Sequence, residues 1–226
     1  MVNSGMNRFS SLARLLVLLP VFGALASNAG RGQVPELAAK SGPSAPKGEQ
    51  TAILAGGCFW GVDAVFKHVR GVTSVVSGYS GGSAATAQYE VVSTGATGHA
   101  ESVKITYDPS EITYSDLLRV FFSVAHDPTQ LNRQGPDRGS QYRSAIFYAN
   151  EDQRQTARAT IDQLNKAKVF SAPVVTQVVP LKDFYPAEGY HQNYFERNEY
   201  QPYCQIVIAP KVAKVRERYL ARLKRS

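Results

Sequence analysis

Two residues combine a reactive side chain with a position that could put it to work. Cys58 lies in 56-GGCFWG-61; it is one of two cysteines and stands two residues before the only tryptophan, Trp60. Upstream, 51-TAILA-55 is short, apolar and partly β-branched, which is the pattern of a buried strand. Downstream, Val62, Val65, Phe66 and Val69 recur at helical spacing. Gly56 and Gly57 allow a sharp turn between the two elements. Cys58 is therefore expected at the first turn of a helix, where unpaired N–H groups and the macrodipole favour an anion. A thiolate there has a lowered pKa and is a nucleophile. The same pattern also fits a small buried hydrophobe, the usual state of a free cysteine.

The second residue is Glu101. In 101-ESVKITY-107 side chains alternate faces, so Glu101 shares the apolar side with Val103, Ile105 and Tyr107. A carboxyl facing an apolar layer is desolvated, its pKa rises, and it can serve as a general acid near neutral pH. The other reading places Glu101 just before the pleat begins, exposed at the strand edge. His99 and His191, with Cys58 and Cys204, raise the question of a metal, but no pair has the short spacing of a zinc site. No metal is expected, and the two histidines read as loop-orienting hydrogen bonders.

These residues need a scaffold. The pattern predicts a helix over 114–125 capped by Thr113, a strand over 142–149, a helix over roughly 150–168 and a strand over 174–179. Glycine-rich 76–102 reads as a long functional loop with little regular structure, and 126–141 as a second polar loop. The order predicts an α/β two-layer sandwich around a small mixed sheet with long functional loops. The segment 204-CQIVIA-209 reads as a strand. The basic stretch 211–226 reads as a terminal helix, with Val212, Val215, Tyr219 and Leu223 on its packing side.

The chain has 226 residues, 43% of them hydrophobic and 19% charged, enough for one domain with tails. At the N-terminus, Arg8 and Arg14 precede apolar 15-LLVLLPVFGALA-26, which ends in a small-residue site at Ala24-Leu25-Ala26. Residues 1–26 are therefore expected to be a secretory signal, with export to the periplasm. Its apolar core is too short to span a bilayer comfortably. Residues 27–50 read as a flexible linker and 51–226 as the domain. Losing Arg8 and Arg14 lowers the formal charge of +7 by two. The remaining excess lacks the basic–aromatic interleaving that tracks nucleic acid, so no nucleic-acid partner is expected.

The motifs GCFWG, GYSGG, TGHAE, HDPTQ, NRQGPDRGSQYRSAI and EGYHQNYF occur in one order from Thr51 to Lys211. Together they closely resemble the peptide methionine sulfoxide reductase A family. The resemblance implies reduction of methionine-S-sulfoxide, free or in oxidised proteins, by a monomeric repair enzyme through a cysteine sulfenic acid. It implies that Cys58 is the nucleophile and that Phe59 and Trp60 form the apolar pocket for the substrate methyl. Glu101, Tyr89 and Tyr142 would bind or protonate the sulfoxide oxygen. Asp137 takes the place of the aspartate in the family's QGND segment, here QGPD. No bound cofactor is implied, only a thiol reductant such as a thioredoxin-like protein. The chemistry suits the residues: an aimed thiolate, proton donors at the developing oxyanion, and an apolar wall.

Many family members resolve the sulfenic acid with a cysteine in a glycine-rich C-terminal tail. The only candidate here is Cys204, whose surroundings contain no glycine and read as ordered strand. Cys204 is thus either a resolving thiol or a small core residue, and the expectation leans to direct reduction of Cys58 by an outside thiol. Two other classes compete with the reductase: a cysteine hydrolase or acyltransferase using His99 or His191 as base, and a non-catalytic binding module.

Overall fold

The computed structural model describes residues 48–219, together with Met1, Leu223 and Lys224. The expected signal beyond Met1, and the expected linker up to residue 47, lie outside the described residues. β1, Gln50–Gly56, passes through Gly57 and Cys58 into α1, Phe59–Lys67, and β2 follows at Val72–Ser80. α2, Tyr89–Val92, precedes β3, Ala100–Tyr107, and α3, Tyr114–Val120, which continues as a π-helical turn at Phe121–Ala125. A small hairpin of β4, Arg133–Gln134, and β5, Asp137–Arg138, leads by a 3-10 turn, Ser140–Tyr142, into β6, Ser144–Tyr148. α4, Glu151–Lys166, then β7, Gln177–Pro180, β8, Tyr185–Pro186, and α5, Tyr194–Arg197, follow. A second π-helical turn, Cys204–Ile208, runs directly into α6, Ala209–Arg218.

The main sheet has six strands in the order β7-β6-β1-β3-β2-β8. Only the β6/β7 pair is parallel, so the sheet is mixed. The central strands β1 and β3 pair antiparallel, with Leu54 opposite Val103 and Ala52 opposite Ile105. These four side chains share one buried layer with Val62, Val65 and Phe66 of α1, Leu117 and Leu118 of α3, Leu164 of α4 and Val215 of α6. The other face is thinner: Ile53, Ala55, Ala145 and Phe147 are covered by Val179, Leu181 and Phe184. The expected α/β two-layer sandwich is therefore the observed architecture. α3 starts as expected, with Thr113 and Asp116 closing a reciprocal capping box.

Three local expectations give way. The terminal helix read over 211–226 ends at Arg218 as α6, with Tyr219 as its C-cap, and Leu223 pairs with Val69 in an isolated β-bridge. β2 occupies part of the region read as loop, because its Gly and Ser content hides a strand buried on both sides. Gly78 has to lack a side chain there, since a Cβ would collide with the Tyr185 carbonyl and the Phe184 ring. The segment 204-CQIVIA-209 is helical rather than extended. Pro210 cannot donate a backbone hydrogen bond, and the wide π turn ahead of it lets the chain continue as helix. Cys204, Ile208, Val212 and Val215 then form a buried stripe at helical spacing.

Candidate active site

The edge of β1 delivers the nucleophile. Gly57 adopts φ +86°, and a Cβ on it would strike the Gln134 side chain of β4. Cys58 is the N-cap of α1, with its carbonyl accepting from the Gly61 N–H at 3.2 Å. The expected place at a helix N-terminus is thus observed, but the expected lowering of its pKa is not. Burial pushes the thiol well above its ordinary value, and the neighbouring Glu101 charge adds to this. Hydrogen bonding with the Tyr203 hydroxyl and from the Trp60 backbone N–H pulls it back only in part. Desolvation outweighs the helix end here because the thiol of this half-buried residue is packed beside a carboxyl.

Glu101 lies on the apolar face of β3, 2% exposed, directly across the sheet from Tyr79. Its Oε2 accepts the Phe59 backbone N–H at 3.0 Å, and its side chain hydrogen-bonds Cys58. Burial raises its pKa to about 8, helped by the Asp137 charge and opposed by the two hydrogen bonds. At neutral pH it is a carboxylic acid touching a thiol.

Tyr89 and Tyr142 join this pair from α2 and from the 3-10 turn before β6. Both phenols are raised first by burial and then by the Glu101 charge, with the Cys58 charge also acting on each. Neither ionises near neutral pH, so both are hydrogen-bond donors. α2 is tied down by Glu188, whose Oε1 accepts the Tyr89 backbone N–H at 2.9 Å and whose Oε2 accepts the Tyr79 hydroxyl at 2.8 Å. Asp137, on β5, accepts the Tyr203 hydroxyl at 2.6 Å. The structure therefore brings Cys58, Glu101, Tyr89, Tyr142 and Asp137 into one electrostatic cluster.

An aromatic wall encloses one side. Trp60 stacks on Tyr194 with ring centroids 3.6 Å apart and 5° between planes. Phe59 packs on Trp60, Tyr79 and His191, and Tyr89 sits 4.3 Å from the His191 ring centre. The Trp60 Nε1–H donates to His191 Nδ1 at 3.1 Å, and burial lowers the His191 pKa, so His191 is neutral with its proton on Nε2. His99 is committed to loop 81–83, accepting from the Gly82 N–H at 3.2 Å with its other nitrogen 3.0 Å from the Ser83 carbonyl. Among the described residues neither histidine hydrogen-bonds Cys58, which removes the base that a cysteine hydrolase needs. Among the described residues no group of three or more His, Cys, Asp or Glu side chains could hold a metal ion.

Residues 50–223 match the family model for peptide methionine sulfoxide reductase. The chain belongs to the peptide methionine sulfoxide reductase family. A peptide methionine sulfoxide reductase MsrA 2 from Mesorhizobium japonicum is 58% identical over 177 residues, covering 78% of this chain and 91% of that protein. In fold, the chain is similar to the reduced form of Mxr1 from Saccharomyces cerevisiae, with TM-score 0.63, 31% identity and coverage of 73% of this chain and 94% of that one. It is also similar to methionine sulfoxide reductase A of Corynebacterium diphtheriae, with TM-score 0.60, 36% identity and coverage of 70% and 79%.

Within this reductase fold, sequence reasoning missed three contributors. Tyr203 bridges Cys58 and Asp137; it carries no local signal, because its role depends on contacts with β5 and with the turn before α1. The spacing of Cys204, Ile208, Val212 and Val215 at steps of four, four and three carried the helical signal, masked by Pro210. Glu188 and Tyr194 carry no local signal, since their roles depend on contacts with β2, α2 and α1. Cys204 itself is fully buried among Ala64, Phe195, Ile208 and Val212, and burial raises its thiol pKa. Both cysteines are free.

Proposed function

We propose that this chain reduces methionine sulfoxide to methionine through Cys58, with Glu101 as the proton donor. The observation that carries the reading is the buried hydrogen-bonded pair of a neutral carboxylic acid and a thiol. Together they hold the protons the reaction needs. The sulfoxide oxygen takes a proton from Glu101 and hydrogen bonds from Tyr89 and Tyr142, which makes the sulfur electrophilic. Cys58 gives its proton to Glu101 as it attacks that sulfur. The S–O bond breaks, methionine leaves as thioether, and Cys58 retains the oxygen as sulfenic acid. Phe59 and Trp60 present the apolar wall to the methyl group, and family likeness supports selectivity for the S epimer.

Asp137 holds the Tyr203 hydroxyl, and through it the thiol. A first thiol condenses with the sulfenic acid, releasing water and leaving a mixed disulfide. A second thiol reduces that disulfide and regenerates Cys58. The full burial of Cys204 in a packed cluster with Ala64, Phe195, Ile208 and Val212 supports an outside donor, a small thiol or thioredoxin-like protein, for both. We also infer that the enzyme is exported, on the strength of the signal pattern in residues 1–26. Among the described residues no helix is long and apolar enough to cross a membrane.

The test is incubation with a methionine sulfoxide peptide, with and without dithiothreitol. Catalytic thioether formation only with reductant is expected. A thiol-independent reaction, or binding without turnover, would return the hydrolase or binding-module readings.

A further inference from the structure

The site assembles groups that oppose a thiolate. Cys58 faces Glu101 from β3, Asp137 from β5, the phenols of Tyr89, Tyr142 and Tyr203 and, among the described residues, no hydrogen-bonded histidine or arginine. Burial and the Glu101 and Asp137 charges all favour the neutral thiol. The hydrogen bonds from Tyr203 and the Trp60 N–H are neutral dipoles and offset this only partly. A full positive charge is what the arrangement lacks from the residues named so far.

Lys211 supplies one. It is the third residue of α6, and its side chain lies over the first turn of α1: a Cβ built on Gly61 would sit 3.3 Å from the Lys211 Nζ and 3.6 Å from its Cδ. Gly61 is the residue whose N–H closes the turn onto the Cys58 carbonyl. The ammonium is thus held at the N-terminal end of α1, whose macrodipole disfavours a cation there. Burial and Lys214 lower its pKa, and only the Cys58 and Asp137 charges act in the other direction. Its own charge also helps to keep buried His126 neutral. As a purely structural choice this lysine is poorly placed, and no ion pair within bonding distance holds it there among the described residues. Its location makes sense opposite an anion that forms during the reaction.

We propose that Lys211 is the positioning cation for the Cys58 thiolate, taking the part that an imidazolium plays in other cysteine enzymes. Glycine at 61 is part of the device, since it leaves the space that the lysine stem crosses. Tyr203 and Lys211 then act as one unit: the C-terminal helical segment carries a hydroxyl and an ammonium to the same thiol, on opposite sides of the π turn. This inference rests on Cys58 being the nucleophile, but its test does not depend on sulfoxide turnover.

The experiment is the pH dependence of Cys58 alkylation by iodoacetamide, followed in the full chain by mass spectrometry of the Cys58 peptide. Lys211→Met and Lys211→Gln should move the ionisation midpoint up by about one pH unit, as expected for loss of one nearby opposite charge, and slow alkylation at pH 7 about tenfold. Lys211→Arg should return the midpoint to near the wild-type value. Near-UV circular dichroism establishes that each variant is folded, and two neutral variants are used so that one folding failure leaves the test intact. Neutral variants that titrate like wild type would overturn the proposal, and so would a shift in Lys211→Arg equal to that in Lys211→Met. Loss of sulfoxide reduction with an unchanged alkylation profile would overturn it too, because the lysine would then act elsewhere.

Discussion

The two cysteines of this chain occupy contrasting surroundings. Cys58 caps α1 and touches a carboxyl, a phenol and a backbone N–H. Cys204 starts a π-helical turn and touches Ala64, Ile208, Val212 and the Phe195 ring. Burial raises the pKa of both thiols. Desolvation therefore does not by itself separate a working cysteine from a structural one in this molecule, although Cys58 is half-buried and Cys204 fully buried. What separates them is the supply of groups that can receive a proton, hold an anion or bind an oxygen, and those surround only Cys58. The neighbouring residue Tyr203 sharpens the point: one step along the chain, the same segment turns from aliphatic packing to the Asp137–Cys58 hydrogen-bond chain.

Substitutions can break this comparison. The largest effect is expected from Cys58→Ser, which should lose all measurable sulfoxide reduction while keeping its fold, because a serine hydroxyl does not ionise near neutral pH. Residual turnover above the uncatalysed rate would move the nucleophile away from residue 58. Next is Glu101→Gln, with an expected drop in kcat of about 10²–10⁴-fold and little change in KM. The pH profile belongs with it. Glu101 is protonated below about 8, so kcat/KM should hold through neutrality and fall as pH rises through that value. The descending limb should be missing from Glu101→Gln; finding it unchanged there would assign it to another group.

Tyr203→Phe removes one hydrogen bond to the thiol and leaves Asp137 without its partner. A loss of roughly tenfold in kcat is expected, the size of one hydrogen bond to a charged group, and an unchanged rate would make the bridge incidental. The smallest change is expected at the other cysteine. Cys204→Ala should cost about 1 kcal/mol of stability through a small cavity, with steady-state rate in dithiothreitol unaltered. One equivalent of sulfoxide without reductant should leave Cys58 as a sulfenic acid that dimedone traps. A dominant Cys58–Cys204 disulfide in that digest would erase the distinction between the two regions.

Much of this site was legible before any coordinates. A turn of paired glycines between an apolar strand and a helical stripe places Cys58 at a helix start, and alternation in 101–107 offers Glu101 the apolar face, which the structure selects over the exposed strand edge. Both follow from local periodicity, which a few residues are enough to specify. The ordered motifs extended that to Tyr89, Tyr142 and Asp137, which no spacing argument connects to Cys58. β2 escaped because a strand packed closely by its neighbour uses glycine and serine, the residues that also make loops. The C-terminal turn escaped because proline masks a helix that a π turn rescues.

Sequence by itself determined the chemistry on offer: one cysteine at a helix start, one carboxyl on an apolar face, aromatic residues beside the thiol, and a second cysteine in an ordered segment. Tertiary structure alone decided the balance of charge. The Cys58 thiol is raised rather than lowered first because packing desolvates it, and then because Glu101, forty-three residues later in the chain, lies against it. Tyr203 meets Asp137 and Lys211 lies over Gly61 only because the C-terminal helical segment packs against the start of α1. Helix ends and side-chain alternation are short-range properties of the chain. Desolvation and Coulomb interaction depend on which distant elements share a low-dielectric interior, and that is set by packing.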